Sequence, residues 1–279
     1  MFAFKYSKSF FINNKINLKY KSLPLEKHFK ICYNQTIVKK EVKMSVAKIT
    51  RDFIEQIEDA TIFTYSDIPS DKKSSVAIEL SRLFKKGVIK KIAKGKFYKP
   101  KQTRFGEIAP SDEEIAKSYF VEDSAYIRGY GGYNQLGLTT QIPNVITIAS
   151  SRVPSRISVE NVNIRFVPNI ANSGQKETQI LQILDALRDI KNIPDNSPND
   201  VVLSIKKIVK KFDEKKIKKM LKLVNNYPPR VKAILGAILK EMGQWEEAYR
   251  LKEMLNPLTR YKIGISVNAL PNRDEWKIA

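Results

Sequence analysis

The sequence is nearly devoid of cysteine and histidine. Its 279 residues include one cysteine, Cys32, and one histidine, His28, and both lie before residue 44. From residue 44 onward the chain therefore lacks the ligands of a Cys or His zinc site. It also lacks the residues of a Cys–His dyad or a Ser–His–Asp triad. A disulfide within one chain is excluded, because it needs two cysteines.

Long apolar runs are missing as well. No stretch approaches the ~20 apolar residues that a membrane-spanning helix needs, so we expect no membrane partner and a cytoplasmic, bacterial protein. The hydrophobic fraction of 42% is nevertheless too high for wholesale disorder. The length allows two domains with cores of their own.

Acidic residues are scarce relative to basic ones. The chain has 50 Lys and Arg against 29 Asp and Glu, a net charge of +21. This excess favours a polyanionic partner. Codon bias in an AT-rich genome, which enriches lysine without regard to function, is the alternative explanation of the overall excess. It accounts less well for local clusters of charge.

The first 43 residues carry ten lysines and two acids, Glu26 and Glu41. They fit a signal or transit peptide poorly, because polar residues interrupt the apolar stretch and arginine is absent. A nucleic-acid-binding tail is a second reading. We favour a third: residues 39–44 can be encoded by a ribosome-binding sequence just before an ATG. Met44 is then the expected native start, and 1–43 is an extension that is disordered or wrongly assigned.

Residues 44–106 have the pattern of a winged helix-turn-helix domain. Ser45 is placed to cap a first helix, and residues 61–64 form a short β-prone run. Residues 65–69 indicate a brief helix with a polar cap. Ser70 or Asp71 caps a third helix that runs to about Lys86, before Gly87. Residues 88–93 and 96–99 are two strands joined by a two-residue turn.

The third helix has an apolar side and a polar side. We expect Val76, Leu80, Leu83 and Phe84 to be buried, so that the opposite side faces outward. An outward Ile78 suits a thymine methyl group, and Arg82 can reach a guanine edge. The alternative is that Ile78 packs against a neighbouring element.

A cationic run follows, because residues 82–104 contain ten Lys or Arg and no acid. Lysines on a hairpin suit the phosphates beside a groove, although a solvated lysine-rich hairpin is the alternative. The predicted DNA-binding residues are Lys73, Ser74, Ser75, Ile78, Arg82, Lys85, Lys90, Lys91, Lys94 and Lys96.

Residues 107–279 form a second predicted domain. It is mixed α/β over 107–170, with strands at 145–149 and 162–167, and helical over 175–256, with closing strands over 258–279. A glycine-rich block at 126–143 has neither GxGxxG order nor a P-loop Lys-Ser/Thr pair, so no nucleotide cradle of that kind and no cofactor are expected. The predicted fold class is therefore α+β: a winged helix-turn-helix, then a mixed α/β and largely helical C-terminal domain.

Several segments resemble a known family. Residues 65–69 (YSDIP), 80–83 (LSRL) and 86–98 (KGVIKKIAKGKFY) are similar to the winged-helix domain of AbiE-type abortive-infection antitoxins. Residues 134–144 (NQLGLTTQIPN), 227–231 (YPPRV), 235–237 (LGA) and 255–259 (LNPLT) resemble the second domain of a related bacterial group.

The resemblance implies an antitoxin of type IV that is not an enzyme. Its winged helix represses its own operon at inverted repeats, and its second domain opposes a nucleotidyltransferase-like toxin. Arg128, Asn134 and Gln135 are our candidates for an exposed antitoxin surface. The alternative is that Asn134 and Gln135 satisfy backbone groups in a turn.

Two other functions remain open from the residues alone. A metal-dependent nucleic-acid enzyme could use Asp195 together with Glu275 and Lys277, although about eighty residues separate these pieces. A nucleotidyltransferase would need a Gly-Ser pair and an Asp-x-Asp, which the sequence lacks. The second possibility is a winged-helix adaptor that binds only protein.

Overall fold

The computed structural model describes residues 44–120, 123–151, 154–159, 161–171 and 175–279. The interpretations of residues 1–43 lie outside the described residues. The chain divides into two compact units, the first ending at Pro110 and the second beginning at Ser111. Both units combine helices with strands, so the fold class is α+β.

The first unit contains two helices and five short strands among its described residues. They are, in chain order, α1 (Val46–Gln56), β1 (Ile62–Thr64), α2 (Lys73–Lys85), β2 (Lys90–Ala93), β3 (Lys96–Tyr98), β4 (Lys101–Thr103) and β5 (Gly106–Ile108). Strands β1, β3 and β2 form an antiparallel sheet in that order, and β4 pairs with β5 in a separate hairpin. Its core comprises buried residues of both helices and of the three-stranded sheet.

Two helix ends of this unit are as the sequence predicts. The Ser45 hydroxyl accepts a hydrogen bond from the Lys48 N–H and caps α1. After α2, Gly87 adopts a positive φ of 74°, the left-handed conformation that favours glycine. Its N–H donates to the Phe84 carbonyl, and the Val88 N–H donates to the Leu83 carbonyl. These two bonds satisfy carbonyls at the end of α2 and stop the helix.

The brief helix predicted over residues 65–69 is wrong, because this segment consists of turns. The Asp67 carboxylate reaches back to β1, where it accepts from the Thr64 N–H at 2.6 Å and from its hydroxyl at 2.9 Å. The Asp67 side chain thus stabilises a turn through local backbone and hydroxyl contacts. The predicted cap of α2 at Ser70 or Asp71 is also wrong: the helix begins at Lys73, and its N-cap residue, Lys72, makes no side-chain capping hydrogen bond.

The second unit combines a mixed four-stranded sheet with a set of helices. Its elements are α3 (Asp112–Lys117), β6 (Tyr126–Arg128), α4 (Tyr130–Gln135), β7 (Val145–Ser150), β8 (Ser155–Val159), β9 (Val162–Pro168), α5 (Thr178–Arg188), α6 (Pro198–Val209), α7 (Glu214–Val224), α8 (Pro229–Glu241) and α9 (Trp245–Glu253). The strand order is β6-β7-β9-β8, with β7 and β9 parallel and the other pairs antiparallel. Helices α5 and α8 are both deeply buried, since every residue over 180–187 and over 233–239 is buried.

Helical periodicity in the sequence predicts helices at about 198–211, 214–225, 229–242 and 245–255, and α6 to α9 end within two residues of these bounds. Strands β6 and β8 were missed. The closing strands predicted over 258–279 are wrong: this tail has a 3-10 helix at Arg273–Trp276 and a single β-bridge between Tyr261 and Ile278. Nowhere in the described ranges is a helix both long and apolar enough to cross a membrane.

The tail is fixed to the helical core by Trp276. This side chain is 2% exposed and lies directly against the backbone of α8 at Gly236. A Cβ atom on Gly236 would stand 2.2 Å from two carbons of the indole ring. Glycine is therefore required here for close packing, although it weakens a helix interior by roughly 1 kcal/mol relative to alanine.

We expect Gly236→Ala to destabilise the protein by about 1–3 kcal/mol, because the added methyl group must displace Trp276. Urea unfolding measures this loss. The matched control is the same change in a Trp276→Ala background, where the clash is gone and alanine should be neutral or stabilising. A rise in stability on Gly236→Ala alone would contradict this packing.

Candidate nucleic-acid interface

The rotation of α2 about its axis decides which of its residues face solvent. Val76, Leu80 and Leu83 are buried in the core of the first unit. Ile78, on the opposite side, is 57% exposed, so none of the described elements covers it as the alternative interpretation requires. The other predicted residues on this side that are exposed are Lys73, Ser74, Arg82 and Lys85, while Ser75 is half-buried. We call the surface formed by Ser74, Ile78, Arg82 and Lys85 the outer face of α2.

The buried side of α2 differs from the prediction at two positions. Phe84, expected in the core, is 45% exposed, and Glu79 is buried among the apolar residues. Glu79 is held by two ion pairs, from Arg51 Nε at 3.4 Å and from Arg82 Nη1 at 3.3 Å. A buried carboxylate needs such partners, because desolvation disfavours its charge.

This ion-paired group contributes a cation that the sequence analysis missed. The Arg51 side chain is 55% exposed and that of Arg82 is 67% exposed, so both guanidinium groups reach solvent beside the outer face of α2. With one carboxylate between two cations, the group keeps a net positive charge. No periodicity in the sequence links Arg51 on α1 to α2, because their proximity depends on the packing of the two helices.

The hairpin of β2 and β3 turns at Lys94 and Gly95, as predicted. Gly95 has a φ of 80°, which glycine adopts without strain. Lys91 and Lys94 are exposed. Lys96 is half-buried, and burial lowers its pKa to about 8. Of these three ammonium groups, Lys96 is the least available to an external phosphate.

Two further lysines of the predicted set have internal partners. Lys90 pairs with Glu107 of β5, and this contact raises the pKa of Lys90 and lowers that of Glu107. The Lys73 ammonium donates to the carbonyls of Tyr65 and Ile68, at 3.0 and 3.1 Å. Lys73 therefore closes the turn before α2, and Lys90 is neutralised locally.

The antitoxin surface predicted in the second unit is not a continuous exposed patch. The prediction that Arg128 is exposed is wrong: its side chain is 15% exposed, and its Nε lies 3.4 Å from Asp185 Oδ2. Asn134 is exposed but donates to the Thr139 carbonyl at 3.2 Å, which is the turn-satisfying role given as the alternative. The exposed Gln135 accepts from Gln182 Nε2 at 2.5 Å.

Arg128 belongs to a buried polar network around Asp185 that the sequence analysis also missed. The Asp185 carboxylate accepts from the Tyr126 hydroxyl at 2.9 Å and from the Tyr227 hydroxyl at 3.3 Å, and Arg188 Nη1 lies 3.1 Å away. Burial raises the pKa of Asp185 to about 7, while the tyrosine hydrogen bonds act in the opposite direction. The network joins β6, α5 and the segment before α8.

The carboxylates considered for a nuclease have structural partners. Asp195 accepts from Thr139, Thr140 and Gln141, and Glu275 pairs with Lys240 and Lys252. Within the ranges that the structure describes, no group of three or more acidic, Cys or His side chains is arranged to hold a metal ion.

Comparison with known proteins places the chain in a family. The model of a family of unknown function (DUF6088) matches residues 48–222, from α1 into α7. The chain belongs to the DUF6088 family. Among solved structures, it is similar to the Rv2827c protein from Mycobacterium tuberculosis, with a TM-score of 0.45 and 10% identity over 77% of this chain and 83% of that one. No curated protein matches it.

The Asp185 network makes the stability of this DUF6088 protein depend on pH. The unfolded chain loses the Asp185 proton near pH 4, whereas the folded chain keeps it until about pH 7. The contribution of protonated Asp185 is therefore complete below pH 4 and is lost as the pH rises towards 7. We therefore expect the free energy of unfolding of the wild type, relative to that of Asp185→Asn, to fall between pH 4 and pH 7.

Urea unfolding at a series of pH values measures this difference, and a fall of up to about 1.4 kcal/mol per pH unit is expected. Asparagine is the matched neutral replacement, so titration of other groups cancels between the two proteins. A difference that stays constant or grows with pH would mean that Asp185 is ionised throughout, against the expectation.

Proposed function

We propose that this protein is a DNA-binding autorepressor and antitoxin, whose first unit is a winged helix-turn-helix that binds duplex DNA. One observation carries the DNA-binding part: the outer face of α2 and the exposed lysines of the β2–β3 hairpin belong to the same small unit. A winged helix uses these two elements, inserting the helix into the major groove and laying the hairpin along the backbone.

The order of elements supports a winged helix. Helix α1, strand β1, helix α2 and the β2–β3 hairpin follow each other, and β1 pairs with β3 to complete a three-stranded sheet. The turns over residues 65–69 stand where we expected a short middle helix. The positive φ at Gly87 ends α2 sharply and allows the chain to enter the hairpin.

The roles of the interface residues follow from their exposure and partners. In this proposal Ile78 contacts a thymine methyl group and Arg82 donates to a guanine edge, while Glu79 holds one side of the Arg82 guanidinium group. Lys91 and Lys94 are exposed point charges for phosphates. Arg51 extends the cationic surface. Lys73, Lys90 and Lys96 are secondary, because internal contacts or burial already engage them.

The antitoxin role is inferred from the resemblance to AbiE-type proteins, which oppose a nucleotidyltransferase-like toxin encoded nearby. We expect a toxic nucleotidyltransferase-like reading frame next to this gene, and growth arrest on its expression should be relieved by this chain. Growth of a bacterial host with each gene under its own inducer measures the effect. Arrest that persists at equal or excess levels of this protein would contradict the antitoxin role while leaving DNA binding intact.

We expect Arg82→Ala to weaken binding to the protein's own upstream duplex by about 1–3 kcal/mol, with a smaller loss on random DNA, because a base contact is removed.

Lys94→Ala should weaken binding to both duplexes equally and reduce the salt dependence of the binding constant by about one unit of slope, because a phosphate contact is removed. Fluorescence anisotropy over a series of salt concentrations measures both effects.

Two variants serve as controls. Lys262→Ala removes the same charge from an exposed position of the second unit and should change neither affinity nor salt slope. Glu107→Gln frees Lys90 from its ion pair and should raise affinity for both duplexes. Equal losses of affinity for Lys94→Ala and Lys262→Ala would show that binding depends only on net charge, and would overturn the proposed interface.

A further inference from the structure

A cleft of about 720 Å³ opens on one face of the four-stranded sheet in the second unit. Strand pairing aligns Arg128, Thr147, Arg165 and Arg156 in a single row across β6, β7, β9 and β8. Directly paired residues point to the same face of a sheet, and Thr147, Arg165 and Arg156 line the cleft. The volume is within the range of ~300–1,000 Å³ typical of small-molecule sites.

Only one arginine of this row has a carboxyl group beside it among the described residues. Arg128 Nε lies 3.4 Å from Oδ2 of the buried Asp185. Arg165 donates to the Thr147 hydroxyl at 3.2 Å, and neither Arg165 nor Arg156 has a carboxylate partner among the described residues. The two exposed arginines are direct cross-strand partners. Like charges in that position repel, so an anion between them relieves the repulsion.

The one acidic side chain lining the cleft among the described residues does not compete for these arginines. Asp189 lines the cleft, but its carboxylate accepts two hydrogen bonds from Arg188, at 2.9 and 2.7 Å. The Tyr133 hydroxyl donates to it as well, at 2.7 Å. The cleft therefore retains a positive field at Arg156 and Arg165. Guanidinium groups bind phosphate through paired N–H donors.

The cleft also has an aromatic wall. Tyr130 lines it and is 44% exposed, and its ring contacts that of the buried Tyr133 at a tilt of 46°, with centroids 6.3 Å apart. An exposed ring held by a buried neighbour is a platform on which a flat heterocycle can stack. The side chains of Asn144 and Asn192, also in the lining, offer amide donors and acceptors of the kind that read base edges.

We propose that this cleft binds a nucleotide, with its phosphate between Arg156 and Arg165 and its base against Tyr130. The site is separate from the proposed DNA interface and does not depend on it. Its phosphate ligands come from strands, so the site has no glycine-rich loop as a signature in the sequence. The nucleotide can be free or part of a single strand, since both carry the same phosphate and base.

Isothermal titration calorimetry of the full chain tests the site with ATP, GTP, CTP, UTP, pyrophosphate and a single-stranded oligonucleotide. We expect saturable binding of at least one nucleotide ligand, weakened tenfold or more by Arg156→Ala and by Arg165→Ala. Tyr130→Ala should weaken nucleotide binding tenfold and leave pyrophosphate binding unchanged. Tighter binding of the oligonucleotide than of the mononucleotides would identify a single strand as the source, and the reverse would identify free nucleotides.

The matched control is Arg260→Ala, which removes the same charge from an exposed position in the tail and should leave binding unchanged. Lys94→Ala should also leave it unchanged, which separates this site from the DNA interface. Unliganded thermal unfolding midpoints verify that each variant is folded. Absence of binding by every probe, or an equal loss with Arg260→Ala, would overturn the proposal. Loss of pyrophosphate binding with Tyr130→Ala would overturn the assigned orientation.

Discussion

Burial of one side of α2 is the constraint on which the proposed interface depends. Val76, Leu80 and Leu83 pack into the core of the first unit, and their positions leave the helix a single rotation about its axis. Ile78 and Arg82 then face solvent as a consequence of packing. The buried Glu79 adds an electrostatic constraint, because it holds Arg82 and Arg51 at the edge of the same surface.

The lysine-rich composition alone does not identify a nucleic-acid interface, since individual lysines in the same cluster have different roles. Lys90 is neutralised by Glu107, Lys73 closes a turn, and Lys96 is half-buried with a lowered pKa. Lys91 and Lys94 remain exposed on the hairpin. Local partners, rather than the count of charges, determine which ammonium groups can meet a phosphate.

The sequence was most informative where structure depends on local patterns. Helical periodicity located α1 and the last four helices, Ser45 marked the start of α1, and Gly87 and Gly95 marked a helix end and a hairpin turn. Sequence patterns gave wrong predictions where the local structure depends on tertiary contacts. Asp67 stabilises a turn through Thr64, and the closing tail is organised by Trp276 against Gly236 instead of by strand pairing. Arg128 looked exposed because its buried partner, Asp185, is 57 residues away in the chain.

The central claim is that the outer face of α2 lies in the major groove of duplex DNA. Photocrosslinking tests it most directly, with a photoreactive side chain at Ser74 in the full chain and at Lys262 as the comparison. The account predicts that the probe at position 74 crosslinks to bases of the upstream duplex, that unlabelled duplex competes, and that the probe at 262 does not crosslink. Equal crosslinking from both positions, or none from position 74 while the duplex is bound, would contradict it.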